Sequence, residues 1–371
     1  MHKTSAWPLA LIYAALIVFA SLYPFEGWRA QGIDPLVFLL APLPPAYWTG
    51  FDLAINVAGY APLGFLLVLA LLRSGRGRAA VRWSALAGAL LSLSMEFLQI
   101  YLPQRVPSNL DLALNAFGTL AGALSAALLE RLGAIDRWSD VRQRWFVPDA
   151  SGGLVLLALW PPALLFPAAV PFGLGQVLER LETALATLLD DTPFSGWLPL
   201  HGAALEPLSL GSELLCVTLG LLIPCLLGYC VIHRQAGRRA LFALGVVALG
   251  AVLTALSAAL SWGPAHAWGW LDLPARFGVG AALALAWLLL ALPRRACAAM
   301  LLLALAWHLA LLNQAPTSAY FAQTQQVWEQ GRFIRFYGLS QWLGWLWPYA
   351  TLLYVLLLVS RRVGSTFAIN Q

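Results

Sequence analysis

Long apolar runs succeed one another along the whole chain, with short polar segments between them. The runs are apolar on every side rather than at alternate positions, which predicts helices and argues against the strands of a membrane β-barrel. Runs of about 20 residues can cross a hydrocarbon core of roughly 30 Å. We therefore predict an all-α, polytopic integral membrane helical bundle. Its ten predicted transmembrane helices are 7–24, 51–72, 83–101, 110–129, 153–172, 208–231, 240–262, 275–293, 297–313 and 341–360.

Arginines occupy alternate connections between the predicted spans. The connection between the second and third spans carries Arg73, Arg76, Arg78 and Arg82, and further arginines follow the fourth, sixth, eighth and tenth spans. The connections on the other side are poor in arginine or acidic. The positive-inside rule therefore predicts that both termini lie in the cytoplasm.

Composition supports this class of protein. Hydrophobic residues make up 60% of the chain and charged residues 11%, against roughly 25% charged in an ordinary soluble protein. The excess of basic over acidic residues, 22 against 17, belongs to the loops on one side, so no nucleic-acid partner is predicted. The four cysteines form no CxxC pair, and we predict neither a metal site nor a cofactor.

A short polar pattern occurs twice. Residues 52–59 read D-L-A-I-N-V-A-G, and residues 111–118 read D-L-A-L-N-A-F-G. Each copy places an Asp and an Asn on one face of a helix that begins there. Both helices enter from the predicted outer side, so we interpret the copies as a parallel duplication of a two-helix unit rather than an inverted repeat. Residues 1–131 then form a four-helix membrane domain, followed by a cytoplasmic linker, 132–152.

The predicted topology brings further polar residues to the level of this pattern. Glu96 and Gln99 occupy the last turns of the third span, and Arg105 and Ser108 follow in the outer loop. An ionisable residue inside a membrane helix indicates function by default. We predict one ligand-binding site at the outer leaflet, with Glu96 and Asp111 as the candidates for any catalytic role. Its members are Asp52, Asn56, Glu96, Gln99, Arg105, Ser108, Asp111 and Asn115.

Structural roles stay open for the same residues. Asp52 and Asp111 stand where helix N-caps are expected, and a carboxylate in a first turn is favoured by the helix dipole. Asn56 and Asn115 can form a hydrogen bond with each other between helices, because an amide inside a membrane needs a polar partner. These roles require no ligand.

Glu96 and Arg105 also allow two interpretations. They can form an ion pair that holds the outer loop in place. Alternatively, Arg105 grips a carboxylate or phosphate with two N–H groups at once, and Glu96 orients Arg105 or handles a proton.

Glycines in the second and fourth spans predict close helix packing. Gly118 and Gly122 have the spacing of the small-residue contact motif of membrane helices. Gly59 and Gly64 occupy the other copy of the pattern. Small residues at these positions let two backbones approach each other.

The motifs of the third and fourth spans resemble those of the VanZ-like family. That family has the pattern S-x-E-x-x-Q, then R, then S-x-x-D-x-x-x-N-x-x-G, and an earlier element N-x-x-x-(Y/F)-x-P-L-G. The matching residues here are Ser94, Glu96, Gln99, Arg105, Ser108, Asp111, Asn115 and Gly118, with Asn56, Tyr60, Pro62, Leu63 and Gly64 for the earlier element.

The resemblance covers about residues 1–130 and adds Tyr60 to the candidate site. It implies a multi-pass cell-envelope protein of the bacterial cytoplasmic (inner) membrane. The family's founding member is associated with resistance to the lipoglycopeptide teicoplanin. The resemblance supplies no reaction.

Residues 153–371 form a second, six-helix membrane region. Its first span contains Trp160-Pro161-Pro162 and Pro167, which should kink or break it, and broken helices often line a cavity. Residues 175–190 have an apolar period of helical type, which predicts an amphipathic helix on the outer membrane surface. Arginine and aromatic residues alternate over 332–347. This pattern predicts either an interfacial aromatic belt or a lid or anion-binding wall over the site.

Three classes of function stay open. The first is recognition of a polar or anionic headgroup at the outer leaflet, on a membrane lipid, a lipid-linked envelope precursor or a glycopeptide. The second is a membrane-embedded hydrolase or transferase that uses the outer-face carboxylates. The third is a structural assembly factor of an envelope complex. We favour the first because Arg105 and the amides suit binding and no nucleophile is evident; no oligomeric state is predicted.

Overall fold

The computed structural model describes residues 6–23, 25–32, 34–43, 50–166, 168–190, 192–193, 207–315 and 334–367. The described residues form helices and no strand, as the all-α prediction requires. They divide into two compact units, Met1–Arg142 and Gln143–Gln371.

The helices fall into the two units in chain order. The first unit contains α1 (Ala6–Leu22), α2 (Pro35–Leu39), α3 (Gly50–Arg73), α4 (Ala80–Gln99) and α5 (Asn109–Arg131), and α6 (Ala134–Trp145) reaches its end. The second contains α7 (Ser151–Ala163), α8 (Leu178–Leu189), α9 (Leu210–Val231), α10 (Ala236–Trp262), α11 (Leu273–Leu288), α12 (Arg294–Leu312) and α13 (Ile334–Phe367).

Seven of the described helices are long and apolar enough to cross a membrane, judged by length and composition: α3, α4, α5, α9, α10, α12 and α13. Three of the ten predicted spans correspond to shorter apolar helices, α1, α7 and α11, of 17, 13 and 16 residues. A 13-residue helix is only about 20 Å long. The helices support a multi-pass membrane protein, while the count of ten and the cytoplasmic placement of the termini stay predictions.

The first span of the second unit breaks at its prolines, as expected. Pro161 and Pro162 lie in the last turn of α7, which ends at Ala163, because two successive prolines remove two backbone N–H donors. The predicted end of this span at residue 172 is therefore wrong. The chain beyond α7 is irregular up to α8, yet Phe172 and Leu174 are buried there.

Two segments between the predicted spans are helical. The predicted linker, 132–152, contains all of α6, and the predicted amphipathic segment, 175–190, contains α8. The placement of α8 on a membrane surface stays a prediction. Of the alternating segment 332–347, residues 332–333 and the side chains before Ser340 lie outside the described part.

Helices α3 and α5 touch backbone to backbone. A Cβ atom added at Gly118 would lie 2.4 Å from the carbonyl oxygen of Val57, and one at Gly122 would lie 1.8 Å from that of Ala61. The contacts advance in the same direction along both helices, so the two copies of the repeated pattern run parallel. The small-residue contact predicted at Gly118 and Gly122 is present.

Two further glycines extend this contact, and a third does not. A Cβ at Gly64 would lie 1.9 Å from the carbonyl oxygen of Thr119, and a Cβ at Gly88 of α4 would lie 2.3 Å from the Thr119 hydroxyl. A Cβ at Gly59 would meet nothing within 4 Å. The packing role predicted for Gly59 is therefore wrong.

The core of the second unit surrounds α9. Every residue from Cys216 to Val231 is buried, because α7, α10, α11 and α12 pack around this helix. Arg239 of α10 is also buried, and its guanidinium donates hydrogen bonds to the carbonyl oxygens of Leu290, Leu292 and Tyr229. Backbone carbonyl oxygens near helix ends, which lack a partner within the helix, thus accept hydrogen bonds from the Arg239 guanidinium.

Replacing Gly122 with Ala should destabilise the protein. The new methyl group would meet the Ala61 carbonyl oxygen at 1.8 Å, and overpacking of this kind costs about 1–3 kcal/mol. Thermal unfolding of the purified protein in detergent should show a midpoint lowered by several degrees.

Gly59→Ala is the matched control, since a Cβ at this position of the same helix pair meets open space. Alanine is favoured over glycine in a helix by about 1 kcal/mol, so its midpoint should stay the same or rise. Equal losses in the two variants would show that α3 and α5 are not in the contact described.

Candidate functional site

Ser108 begins α5 by capping it. Its hydroxyl accepts a hydrogen bond from the backbone N–H of Asp111 at 3.3 Å, and its backbone is extended. A serine at this position satisfies one of the donors that have no partner in the first turn of a helix. Asp111 lies inside that turn and is not the cap. The alternative in which Asp111 only caps the helix is therefore wrong, and its side chain is available for a contact between helices.

The side chain of Asp111 reaches α3. Asn56 Nδ2 donates a hydrogen bond to Asp111 Oδ1 at 2.7 Å, and Asn56 is buried. Asn56 precedes Gly64 by eight residues, and Asp111 precedes Thr119 by eight residues. The hydrogen bond between Asn56 and Asp111 therefore joins the same two helices about two turns nearer to their starts than the contact of Gly64 with Thr119. A charge-assisted bond of this kind is roughly twice as strong as a neutral one.

Glu96 joins the end of α4 to the start of α5. It is 3% exposed, and its Oε2 accepts a hydrogen bond from the backbone N–H of Ser108 at 2.8 Å. A buried carboxylate needs such donors. The predicted ion pair between Glu96 and Arg105 stays a prediction.

Gln99 and Arg105 hold the end of α1. Gln99 Nε2 donates to the carbonyl oxygen of Ser21 at 3.0 Å, and Arg105 Nη2 donates to those of Tyr23 and Ala20 at 2.8 and 3.4 Å. The last carbonyls of a helix have no partner within it, and a cation there is favoured by the helix dipole. Arg105 is 8% exposed, so most of its side chain is buried.

Asn115 lies one turn deeper than Asp111 and has a different partner from the one predicted. Its Nδ2 donates to the hydroxyl of Ser92 in α4 at 2.9 Å, so the predicted bond between Asn56 and Asn115 is wrong. The Asn115 backbone oxygen accepts from the Thr119 hydroxyl. Its side-chain oxygen is buried and has no hydrogen-bond partner among the described residues.

The two remaining predicted site residues are Tyr60 and Asp52. Tyr60 is buried against Ile17 and Leu63, which places it in the contact between α1 and α3. Asp52 lies in the backbone of α3, but its side chain is outside the described part of the structure.

The structure thus divides the predicted residues into two neighbouring sets. Three direct hydrogen bonds connect one set into a continuous chain, which we call the polar cluster: Glu96, Ser108, Asp111 and Asn56. Gln99 and Arg105 form the other set, at the end of α1. Both sets lie where α4 ends and where α3 and α5 begin.

Sequence reasoning missed Ser92. The signal was present, because Ser84, Gly88, Ser92 and Glu96 recur every fourth residue along α4 and all are buried. A stripe of small residues at this spacing is the side of a membrane helix that packs on another helix. Ser92 could have been assigned to that side from the sequence alone.

The polar cluster offers hydrogen-bond acceptors and one nearby cation. Among the described residues, no group of three or more His, Cys, Asp and Glu side chains could hold a metal ion.

Ser92→Ala should destabilise the protein by about 1 kcal/mol, because the buried Asn115 amide would lose the partner of its Nδ2. Unfolding in mixed detergent micelles would measure this loss. Ser94→Ala is the control two residues away, since the exposed Ser94 hydroxyl bonds only to Leu90 O of its own helix. An equal effect of the two changes would argue against the bond between α4 and α5.

Comparison with known proteins identifies this unit. A family model described as VanZ/LLP1 matches residues 6–130, a range that contains all the candidate residues. No curated protein and no solved structure matches the chain. The resemblance noted in the motifs is thereby confirmed: residues 6–130 of this chain match the VanZ/LLP1 family model.

Proposed function

We propose that the VanZ-like unit recognises the polar, anionic headgroup of a lipid or lipid-linked envelope precursor at the outer surface of the bacterial inner membrane. The observation that carries this proposal is the continuous chain of hydrogen bonds from Glu96 through Ser108 and Asp111 to Asn56. Three apolar helices of membrane-spanning length gather these groups at one end of the unit.

The exposure of the polar-cluster residues supports a binding surface whose accessible side chains are held in place by buried ones. Asn56 and Glu96 are buried, whereas Ser108 and Asp111 are half-buried. The buried groups therefore fix the orientation of those that a headgroup can reach. A binding surface whose side chains are already held in place loses less entropy when a ligand arrives.

The surroundings of Arg105 suit the boundary between lipid and water. The next residue, Val106, is 82% exposed, and Phe97 of α4 is exposed as well. Apolar side chains on either side would enter the acyl region while the guanidinium stays at headgroup level. An arginine can bind two oxygens of a phosphate or carboxylate at once, which is why the proposed headgroup is anionic.

Binding accounts for these contacts better than catalysis does. A hydrolase or transferase would need Glu96 or Asp111 to reach the reacting atoms. Glu96 is enclosed and its Oε2 is bonded to the Ser108 amide, and Asp111 Oδ1 is bonded to Asn56. Both carboxylates already hold helices together, a role that fits orientation of a ligand site.

The family relation suggests a second probe. Because the founding VanZ protein is associated with teicoplanin resistance, a lipoglycopeptide is a candidate ligand of the same surface. It too carries carboxylates and an acyl chain, which are the chemical features that Arg105 and the apolar rim would recognise.

Replacing Arg105 with Ala should weaken binding at least tenfold. The test titrates the purified full chain with dihexanoyl phosphatidylglycerol and, separately, with teicoplanin, and follows binding by calorimetry. Binding should also weaken as salt is raised, because salt screens the attraction between Arg105 and an anionic ligand that approaches from water, over about 10 Å at 0.1 M. Arg105→Lys keeps the charge without the two-pronged grip and should bind with intermediate affinity.

Arg131→Ala provides the matched control, since Arg131 is exposed at the opposite end of α5. Thermal unfolding separates loss of the ligand from loss of the α1 contacts made by Arg105. Unchanged affinity in a folded Arg105→Ala protein, or no binding of either probe by the unmodified protein, would refute the proposal and favour a structural assembly role.

A further inference from the structure

The second unit contains a cavity of about 450 Å³ beside the break that follows α7. Its walls come from the irregular segment after α7, the first turn of α9, the last turns of α10 and the connection between α10 and α11. The volume lies in the range of small-molecule sites, about 300–1,000 Å³. The cavity thus lies beside the irregular segment that follows the two prolines of α7.

Two carboxylates line this cavity. Glu213 lies in the first turn of α9, and Asp272 caps the start of α11 by accepting a hydrogen bond from the Ala275 amide at 3.0 Å. Neither carboxylate forms an ion pair with a described residue, and the Glu213 carboxylate accepts no hydrogen bond from one. Two like charges that share a cavity without a cation repel each other, and a positively charged ligand would relieve that repulsion.

Aromatic side chains form part of the remaining wall, among small, aliphatic and hydroxyl side chains. Phe166, Phe172, Trp262 and Trp270 line the cavity, and the Phe172 and Trp270 rings pack edge to face with centroids 5.5 Å apart. The faces of such rings attract cations, tryptophan most strongly, and quaternary ammonium groups are recognised in this way. Apart from His266, the described wall residues include no basic side chain, so the two carboxylates favour a cation over an anion there.

The backbone of the wall is strained at Phe172. Its φ angle is +61°, a conformation that a bulky side chain rarely adopts. The strain persists because the Phe172 carbonyl oxygen packs against α9, where a Cβ at Gly220 would approach it to 2.7 Å. Strain of this kind gathers at functional sites.

We propose that this cavity binds a ligand through a protonated amine or quaternary ammonium group. The carboxylates of Glu213 and Asp272 neutralise the positive charge, and the aromatic wall covers the ammonium group. The ammonium can belong to a zwitterionic lipid headgroup or to a free soluble amine. The site lies within the second unit and uses none of the residues proposed for headgroup recognition by the VanZ-like unit.

The test titrates the full chain, in a detergent without an ammonium group, with three probes followed by calorimetry. Choline represents a soluble amine, dihexanoyl phosphatidylcholine represents a zwitterionic lipid, and dihexanoyl phosphatidylglycerol lacks the ammonium group. We expect choline and phosphatidylcholine each to release heat on binding, and we expect saturation with one of them to reduce the heat from the other. Heat from phosphatidylcholine alone would assign the site to lipid, and heat from both would assign it to any accessible ammonium ligand.

Glu213→Gln should weaken binding of the ammonium probes at least tenfold without changing the response to phosphatidylglycerol. Asp272→Asn removes the second charge while asparagine remains an equally good helix cap, so it should weaken binding in a protein that still folds. Glu130→Gln is the control, because Glu130 is exposed at the end of α5.

Three results would overturn the proposal. They are unchanged affinity in folded Glu213→Gln and Asp272→Asn proteins, absence of binding by both ammonium probes, and equal loss in the Glu130→Gln control.

Discussion

The backbone contact between α3 and α5 is the constraint on which the VanZ-like unit depends. Glycines at 64, 118 and 122 leave no room for a side chain between the two helices, and so they fix both the separation and the parallel register. That register brings Asp111 opposite Asn56 and sets the starts of both helices at one level. Gly88 seats α4 against Thr119 in the same way, which carries Glu96 to the start of α5.

Polar groups within this apolar unit serve first as connections between helices. Inside a membrane, backbone and side-chain polar groups must find partners within the protein. Here Glu96 and Ser108 join α4 to α5, Asp111 joins α5 to α3, and Arg105 holds the last carbonyls of α1. The same bonds orient the half-buried groups that face outward. A structural role and the proposed binding role are therefore both compatible with one arrangement, and only a measurement of ligand binding distinguishes them.

Much of this arrangement could be predicted from local sequence. The length of the apolar runs predicted the helices, and the small-residue spacing of Gly118 and Gly122 predicted a close helix contact, which the structure places between α3 and α5. Partners across helices could not be predicted, because they depend on rotation about the helix axis: Asn56 bonds Asp111 rather than Asn115, and Gly59 faces open space. The early end of α7 depends on how irregular backbone packs after Pro162, which no local rule specifies. The pairing of Asn115 with Ser92 required the stripe on α4 to be matched to a particular neighbour.

The central claim is that the polar cluster and Arg105 form a ligand site at the end of the VanZ-like unit where α3 and α5 begin. An electron cryomicroscopy map of the full chain in nanodiscs of bacterial lipid extract would test it most directly. The account predicts density for a headgroup within about 3 Å of the Arg105 or Asp111 side chain, continuous with acyl density beside Val106. Ordered lipid along the apolar flanks, with only water against those two side chains, would contradict it.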